Sequence, residues 1–161
     1  MKWLYLVLLT VIFTACKIKQ ADKISPRLDT TKAVKTDTAN IITDKRYFWN
    51  ADWDQKKGLV MKKVMPLPDD SLNAPVLIQK LNMLYPEIQL RFKKITGDTI
   101  FVAINKSSYL TSQSGSSGAR GYLAEVTFNL TEIPNINFVD INFKPGDHAS
   151  PGTYTRLDFV K

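Results

Sequence analysis

The 161-residue chain carries 22 Lys+Arg against 15 Asp+Glu, a formal net charge of +7, and 44% of its residues are hydrophobic. That length suits one ordinary domain, and that apolar content is enough for a packed core, which excludes a chain disordered throughout. One Cys and one His exclude an intrachain disulfide framework, a zinc finger or ribbon and a two-His zinc site.

Met1 and Lys2 give a short positive start, and Trp3 to Ala15 is an uncharged run whose polar residues are Thr10 and Thr14. Such a run falls short of the about twenty residues needed to span a bilayer and matches the core of a secretory signal peptide, or else a short anchor that is never cut. The one Cys, Cys16, follows at once after Phe13-Thr14-Ala15. This resembles the lipobox of bacterial lipoproteins, with Phe13 standing where a Leu is usual. The resemblance implies a lipoprotein signal peptide over 1–15 and a lipidated Cys16. It also implies a chain held on a membrane of the bacterial cell envelope, facing periplasm or exterior. Two acyl chains suffice for stable anchoring while the body stays soluble.

Residues 16–46 read as a flexible basic tether. From Lys17 to Arg46 there are eight Lys+Arg and four Asp+Glu, with no aromatic residue and no Gly. Little there can offset the entropy of ordering, and roughly thirty residues of such chain span on the order of 30 Å as a random coil. The basic residues either meet anionic lipid headgroups or only keep the segment solvated. With Lys2 and the tether set aside, residues 47–161 hold 13 Lys+Arg and 11 Asp+Glu, so the folding part is nearly neutral. Nucleic-acid binding calls for a basic footprint on the domain itself, and it is excluded as a partner on that ground and on the export signal.

In residues 47–161, Tyr47-Phe48-Trp49 with Trp53 forms an aromatic cluster ahead of the first regular element, suited to packing at the edge of the core or to stacking a ligand. Gly58 to Met65 predicts a strand ended by Pro66 and Pro68. Asp69, Asp70, Ser71 and Asn73 then offer capping oxygens, Pro75 suits a first turn, and Leu77, Ile78, Leu81, Leu84 and Tyr85 follow at helical spacing until Pro86. Ile88, Leu90 and Phe92 alternate with polar residues, Thr96-Gly97-Asp98 turns, and Thr99 to Ile104 returns as a buried strand. Asn105 to Gly118 reads as a polar loop. A second helix is predicted from Ala119 to Glu132, with Leu123, Val126, Thr127 and Leu130 inward and Pro134-Asn135 breaking it. Val139, Ile141 and Phe143 mark another strand. After a turn over 144–152, Tyr154 to Val160 predicts a last strand with Leu157 and Phe159 inward. The order β-α-β-β-α-β-β makes an α+β single domain, two helices packed on a mostly antiparallel sheet.

From Gly58 to Phe159 the chain resembles a GerMN domain, the module named after a sporulation and germination lipoprotein. The residues that carry the resemblance are the strand ending in Ile104 with Ser107-Ser108-Tyr109-Leu110, the Gly115-Ser116-Ser117-Gly118 loop, and Asn129-Leu130-Thr131-Glu132-Ile133-Pro134 leading into Ile136 to Phe143. The turn over Lys144 to Gly152 departs from the family's shorter glycine turn. The resemblance implies a non-enzymatic envelope module, similar to ring-building and peptidoglycan-associated domains, whose partner is an envelope protein or peptidoglycan and which needs no cofactor.

Two constellations could carry chemistry or contact a partner. Asp147, His148 and Ser150 put an acid, the imidazole and a hydroxyl in one turn. A small envelope hydrolase would use His148 with Ser114, Ser116 or Ser117 as nucleophile, although no Gly-x-Ser-x-Gly elbow is present. The plainer alternative has Asp147 and Ser150 bonding their own backbone while Gly146 and Gly152 take unusual dihedrals. In the second, a Ser-Gly loop with Ser116 and Ser117 runs into a helix start at Ala119 and Arg120, an arrangement that suits an anion but lacks the Gly-Lys-Thr/Ser of a nucleotide loop.

Overall fold

The structure is a computed structural model and describes residues 46–160. The expected signal peptide, Cys16 and nearly all of the tether lie outside the described residues. The α+β class holds: two main helices combine with a four-stranded sheet and a separate two-stranded one.

The first element, β1 (Arg46–Asp54), is a strand where the sequence suggested only an aromatic cluster before regular structure begins. It pairs antiparallel with β2 (Gly58–Leu67), and a bulge falls opposite Phe48/Trp49. The predicted stop at Pro66 is overrun by one residue, because the strand position opposite Tyr47 requires no donor from it. Helix α1 (Ala74–Leu84) begins as the sequence implies. Asn73 accepts the backbone N–H of Val76 at 3.1 Å, and Pro75 occupies the first turn. Strand β3 (Leu90–Thr96) and β4 (Thr99–Ile104) form the expected hairpin, with a bulge between Phe92 and Lys94.

A wide π-type turn over 109–113 delivers the chain into helix α2 (Gly115–Leu130), four residues earlier than predicted. The Ser-Gly stretch is a helix start and not a loop, and Gly115 enters it at φ +68°, a conformation other residues adopt at a cost. Strand β5 (Phe138–Asn142) lies parallel to β4, as the intervening helix permits, and β6 (Gly152–Tyr154) closes the order β3-β4-β5-β6. The expected last strand is cut short. After Tyr154 the chain makes a 3₁₀ turn over Arg156–Asp158, held by Thr155 and Asp158 capping each other, so Leu157 is 79% exposed while Phe159 is buried as expected.

One core joins these elements. Ile100, Val102 and Ile104 with Val139 and Ile141 form the inner face of the sheet, against Leu77, Ile78 and Leu81 of α1 and Leu123, Val126 and Leu130 of α2. From Gly121 to Leu130 every residue of α2 is buried, because a second layer covers the helix face the periodicity would give to solvent. Glu125, Asn129 and Glu132 form a stripe along α2 and just past it, and meet the outer edge of β1. The N–H groups of Ala51, Trp49 and Tyr47 donate to Glu125 Oε1 at 2.7 Å, Asn129 Oδ1 at 2.9 Å and Glu132 Oε2 at 3.4 Å. Asn129 returns a bond to Trp49 O at 2.8 Å, and Trp49 Nε1 donates to Glu132 Oε1 at 2.7 Å.

The spacing explains the fit: one helical turn advances about 5–6 Å and two strand residues about 6.8 Å, so side chains at i, i+4 and i+7 address every second residue of an antiparallel strand. The helix thus stands in for a third strand. Glu132 is also paired with Arg156 at 2.6 Å, and Arg156 donates to Phe128 O and Thr131 Oγ1, which ties the C-terminal turn to the same face. Glu125 accepts the Tyr85 hydroxyl at 2.7 Å, and burial holds its carboxyl above the usual range against those two hydrogen bonds. Burial likewise pushes up Tyr85 and the enclosed Tyr122, which packs edge-on to Tyr85.

Candidate functional site

The structure divides the residues singled out by sequence into two groups. Ser116 sits in the first turn of α2 and its Oγ lies 3.1 Å from His148 Nδ1. The turn carrying His148 is pinned beside that helix start by its own backbone: His148 N donates to Thr111 O at 3.0 Å, Gly146 N to Ala149 O at 3.1 Å, and Ser107 Oγ to Lys144 O at 2.9 Å. The expectation that Asp147 and Ser150 side chains shape the turn is corrected, since neither makes a hydrogen bond among the described residues. Nor do Gly146 and Gly152 take positive φ. Gly146 is required for closeness instead, because a Cβ there would sit 2.7 Å from Thr111 Cβ.

The Ser116–His148 pair lies at the surface. Ser116 and Asp147 are exposed and His148 half-buried, and no carboxylate among the described residues hydrogen-bonds the imidazole. A Ser-His nucleophile works when an acid fixes the ring and a cleft excludes water; among the described residues no carboxylate bonds the ring, and the pair lies outside the two concavities beside Trp49 and Trp53. Ser114 turns back to Leu110 O at 2.7 Å, and the exposed Ser117 hydroxyl makes no hydrogen bond among the described residues.

Arg120 is not part of that pair. It donates to Asp158 O at 2.7 Å and lies over the Phe159 ring, so the anion site imagined at the helix start loses its cation to the C-terminal turn. There it lines a hollow of about 410 Å³ with Trp53, Lys57 and Phe159. That hollow adjoins an open groove of about 920 Å³ lined by Trp49, Lys57, Leu59, Met61, Phe128 and Phe159. Neither Ser116 nor His148 lines either concavity. No three His, Cys, Asp or Glu side chains among the described residues could hold a metal ion.

No family model, curated protein or solved structure matches this chain.

The feature sequence reasoning passed over is the free side of β3. Every residue from Arg91 to Thr96 is exposed, although the register sets Phe92 opposite Val102 and Ile95 opposite Ile100, both buried on the inner face. Phe92 and Ile95 therefore point toward the side of the sheet that carries the core yet remain 44% and 45% exposed. The helices reach only the start of the strand, where Asn82 receives Leu90 N at 2.8 Å and donates to Leu90 O at 2.9 Å. The alternation of Ile88, Leu90 and Phe92 signalled the strand, but nothing in it signalled that the cover would stop after Leu90.

Proposed function

We propose that this is a lipid-anchored lipoprotein of the bacterial cell envelope, of GerMN type, whose α+β domain binds another envelope protein or cell-wall component within reach of a tether at Cys16. The observation that carries this reading is the uncovered β3, which presents apolar side chains and a strand edge, as an interaction module requires and a soluble monomer avoids. The sequence adds the lipobox-like Phe13-Thr14-Ala15-Cys16. In this reading the domain acts by binding and needs no cofactor.

The test combines two measurements in cells. Labelling with radioactive palmitate marks the wild-type chain and not Cys16→Ala, and a photo-crosslinking residue at position 95 yields an adduct in the envelope fraction. A chain without palmitate, or one that crosslinks to nothing from any face, removes the proposal.

A second reading, a small envelope hydrolase, draws on the 3.1 Å approach of Ser116 to His148. Against it stands the exposed setting of the pair, whose imidazole shares no hydrogen bond with a carboxylate among the described residues. An anion or small-molecule binder at 114–120 is weaker, since Arg120 is engaged elsewhere.

A further inference from the structure

Strand edges in this fold are closed by different means. The outer edge of β1 is met at three alternate positions by α2 and Glu132. β6 is only three residues long. β2 has an open side, but it carries a bulge and Pro66, its Lys62 is ion-paired with Asp52, and its Lys63 lies over the Tyr47 ring. Strand β3 has a bulge, and its Lys94 lies over the Phe101 ring, but it has no proline and no ion pair among the described residues.

The backbone directions along β3 follow from two observations. Asn82 meets Leu90 N and O on the side away from β4, so by alternation the N–H and C=O of Phe92 point the same way. At the other end the two-residue turn makes Thr96 and Thr99 the closing pair, and Ile95 again points outward. The bulge between Phe92 and Lys94 is what brings these two frames into step. Among the described residues, no hydrogen bond outside the β3–β4 ladder engages Phe92 or Ile95. Open backbone groups and exposed apolar side chains thus coincide at the same two residues.

Charge selects what can lie there. Arg91 and Lys94 stand opposite Ala103 and Phe101, on the face away from the helices, and Lys93 is the extra residue of the bulge. β3 contains no acidic residue, and neither Arg91 nor Lys93 has a carboxylate partner among the described residues. A second copy pairing edge to edge would set these three cations against themselves, which is destabilising. An extended chain with acidic residues on one face and apolar residues on the other would complement both faces at once.

Resting on the binding-module reading, we propose that β3 takes up an extended segment of another protein, alternating acidic and apolar residues, as an added strand. Its carboxylates meet Arg91, Lys93 and Lys94, and its apolar side chains extend the core beside Phe92 and Ile95. Main-chain bonds supply the affinity and the alternation supplies the choice of partner.

The experiment uses the full chain in detergent and a fluorescein-labelled ten-residue peptide of alternating valine and glutamate, read by anisotropy. The valine–glutamate peptide is expected to bind about tenfold or more tightly than a valine–lysine peptide, and than the same valine–glutamate peptide with alternate amides methylated. Arg91→Glu with Lys93→Glu reverses the preference between the glutamate and lysine peptides. Because that reversal is a gain for one probe, a folding defect cannot imitate it. Equal binding of the two charges, indifference to methylation, or a dimer that the double substitution dissociates would each overturn strand addition, the last by showing a second copy as occupant. If no peptide binds but a photo-crosslinker at Trp53 still captures an envelope component, the β3 proposal fails and the module reading stands. Failure at every surface removes both.

Discussion

Replacing Asn129 tests whether α2 truly substitutes for a strand. Asn129 is fully buried, accepts from Trp49 N and donates to Trp49 O. Asn129→Leu keeps the volume and removes both of these bonds together with the one Asn129 donates to Glu125 O, which strands two backbone groups of β1. At about 1–3 kcal/mol for each group left unpaired, and with Trp49 only half-buried, the expected loss is roughly 2–4 kcal/mol. In urea, with a slope of about 1–3 kcal/mol/M, the midpoint falls by about 1–2 M at unchanged slope. Thr127→Val is the control: Thr127 is equally buried in the same helix, but its hydroxyl serves only Leu123 O, so the loss stays below about 1 kcal/mol. If the two variants lose the same amount, or Asn129→Leu shifts the midpoint by less than about 0.3 M, the helix is not carrying the strand edge.

Three further outcomes follow from the same structure. Glu125, held above the usual carboxylate range by burial, keeps its proton longer in the folded state. It therefore favours folding at acid pH and costs stability as pH rises from the ordinary carboxylate value through its folded one. Glu125→Gln, which can still accept from Ala51 N, should remove that decline, and a pH series of thermal melts checks it. Gly146→Ala drives a methyl into Thr111 and its carbonyl, costing about 1–3 kcal/mol and several degrees in Tm, whereas Gly97→Ala meets no atom and is penalised only by its φ of +61°. Ser116→Ala leaves the melting curve within about 0.5 kcal/mol of wild type, as expected of an exposed side chain. If purified protein hydrolyses an aryl ester and that activity disappears in both Ser116→Ala and His148→Ala, the binding reading gives way to the hydrolase.

The parts of the fold legible in the sequence are those whose signals are local. The Asn73-Ala74-Pro75 start, the helical spacing from Leu77 to Leu84 and the Thr96-Gly97-Asp98 turn each depend on neighbours within a few residues. β1 failed that test. Its aromatic residues favour strands, but its edge partners lie 74 to 85 residues away on a helix, so no local alternation announces them. The same long-range arrangement hid the polar stripe of α2, where Glu125, Asn129 and Glu132 look like a solvated face. Leu157 and Phe159 alternated as a strand would, yet Thr155 and Asp158 cap a tight turn that only Phe159 follows inward. Of the site residues, the meeting of Ser116 with His148 was within reach of the sequence. The departure of Arg120 to Asp158 O was not, because it depends on where the C-terminal turn comes to rest.

The double employment of α2 bears on how this domain can vary. A residue inserted or deleted between Leu123 and Leu130 rotates everything beyond it by about 100°. On an ordinary surface helix such a slip can be absorbed by trading a buried stripe for its neighbour. Here one slip withdraws Leu130 from the sheet and Asn129 and Glu132 from β1 together, and no rotated setting serves both layers. Change of length should thus be tolerated at the Asp54–Gly58 turn and after Ile133, and rejected within the helix, so that a scan of single-residue insertions would trace α2 as one uninterrupted interval of lost folding.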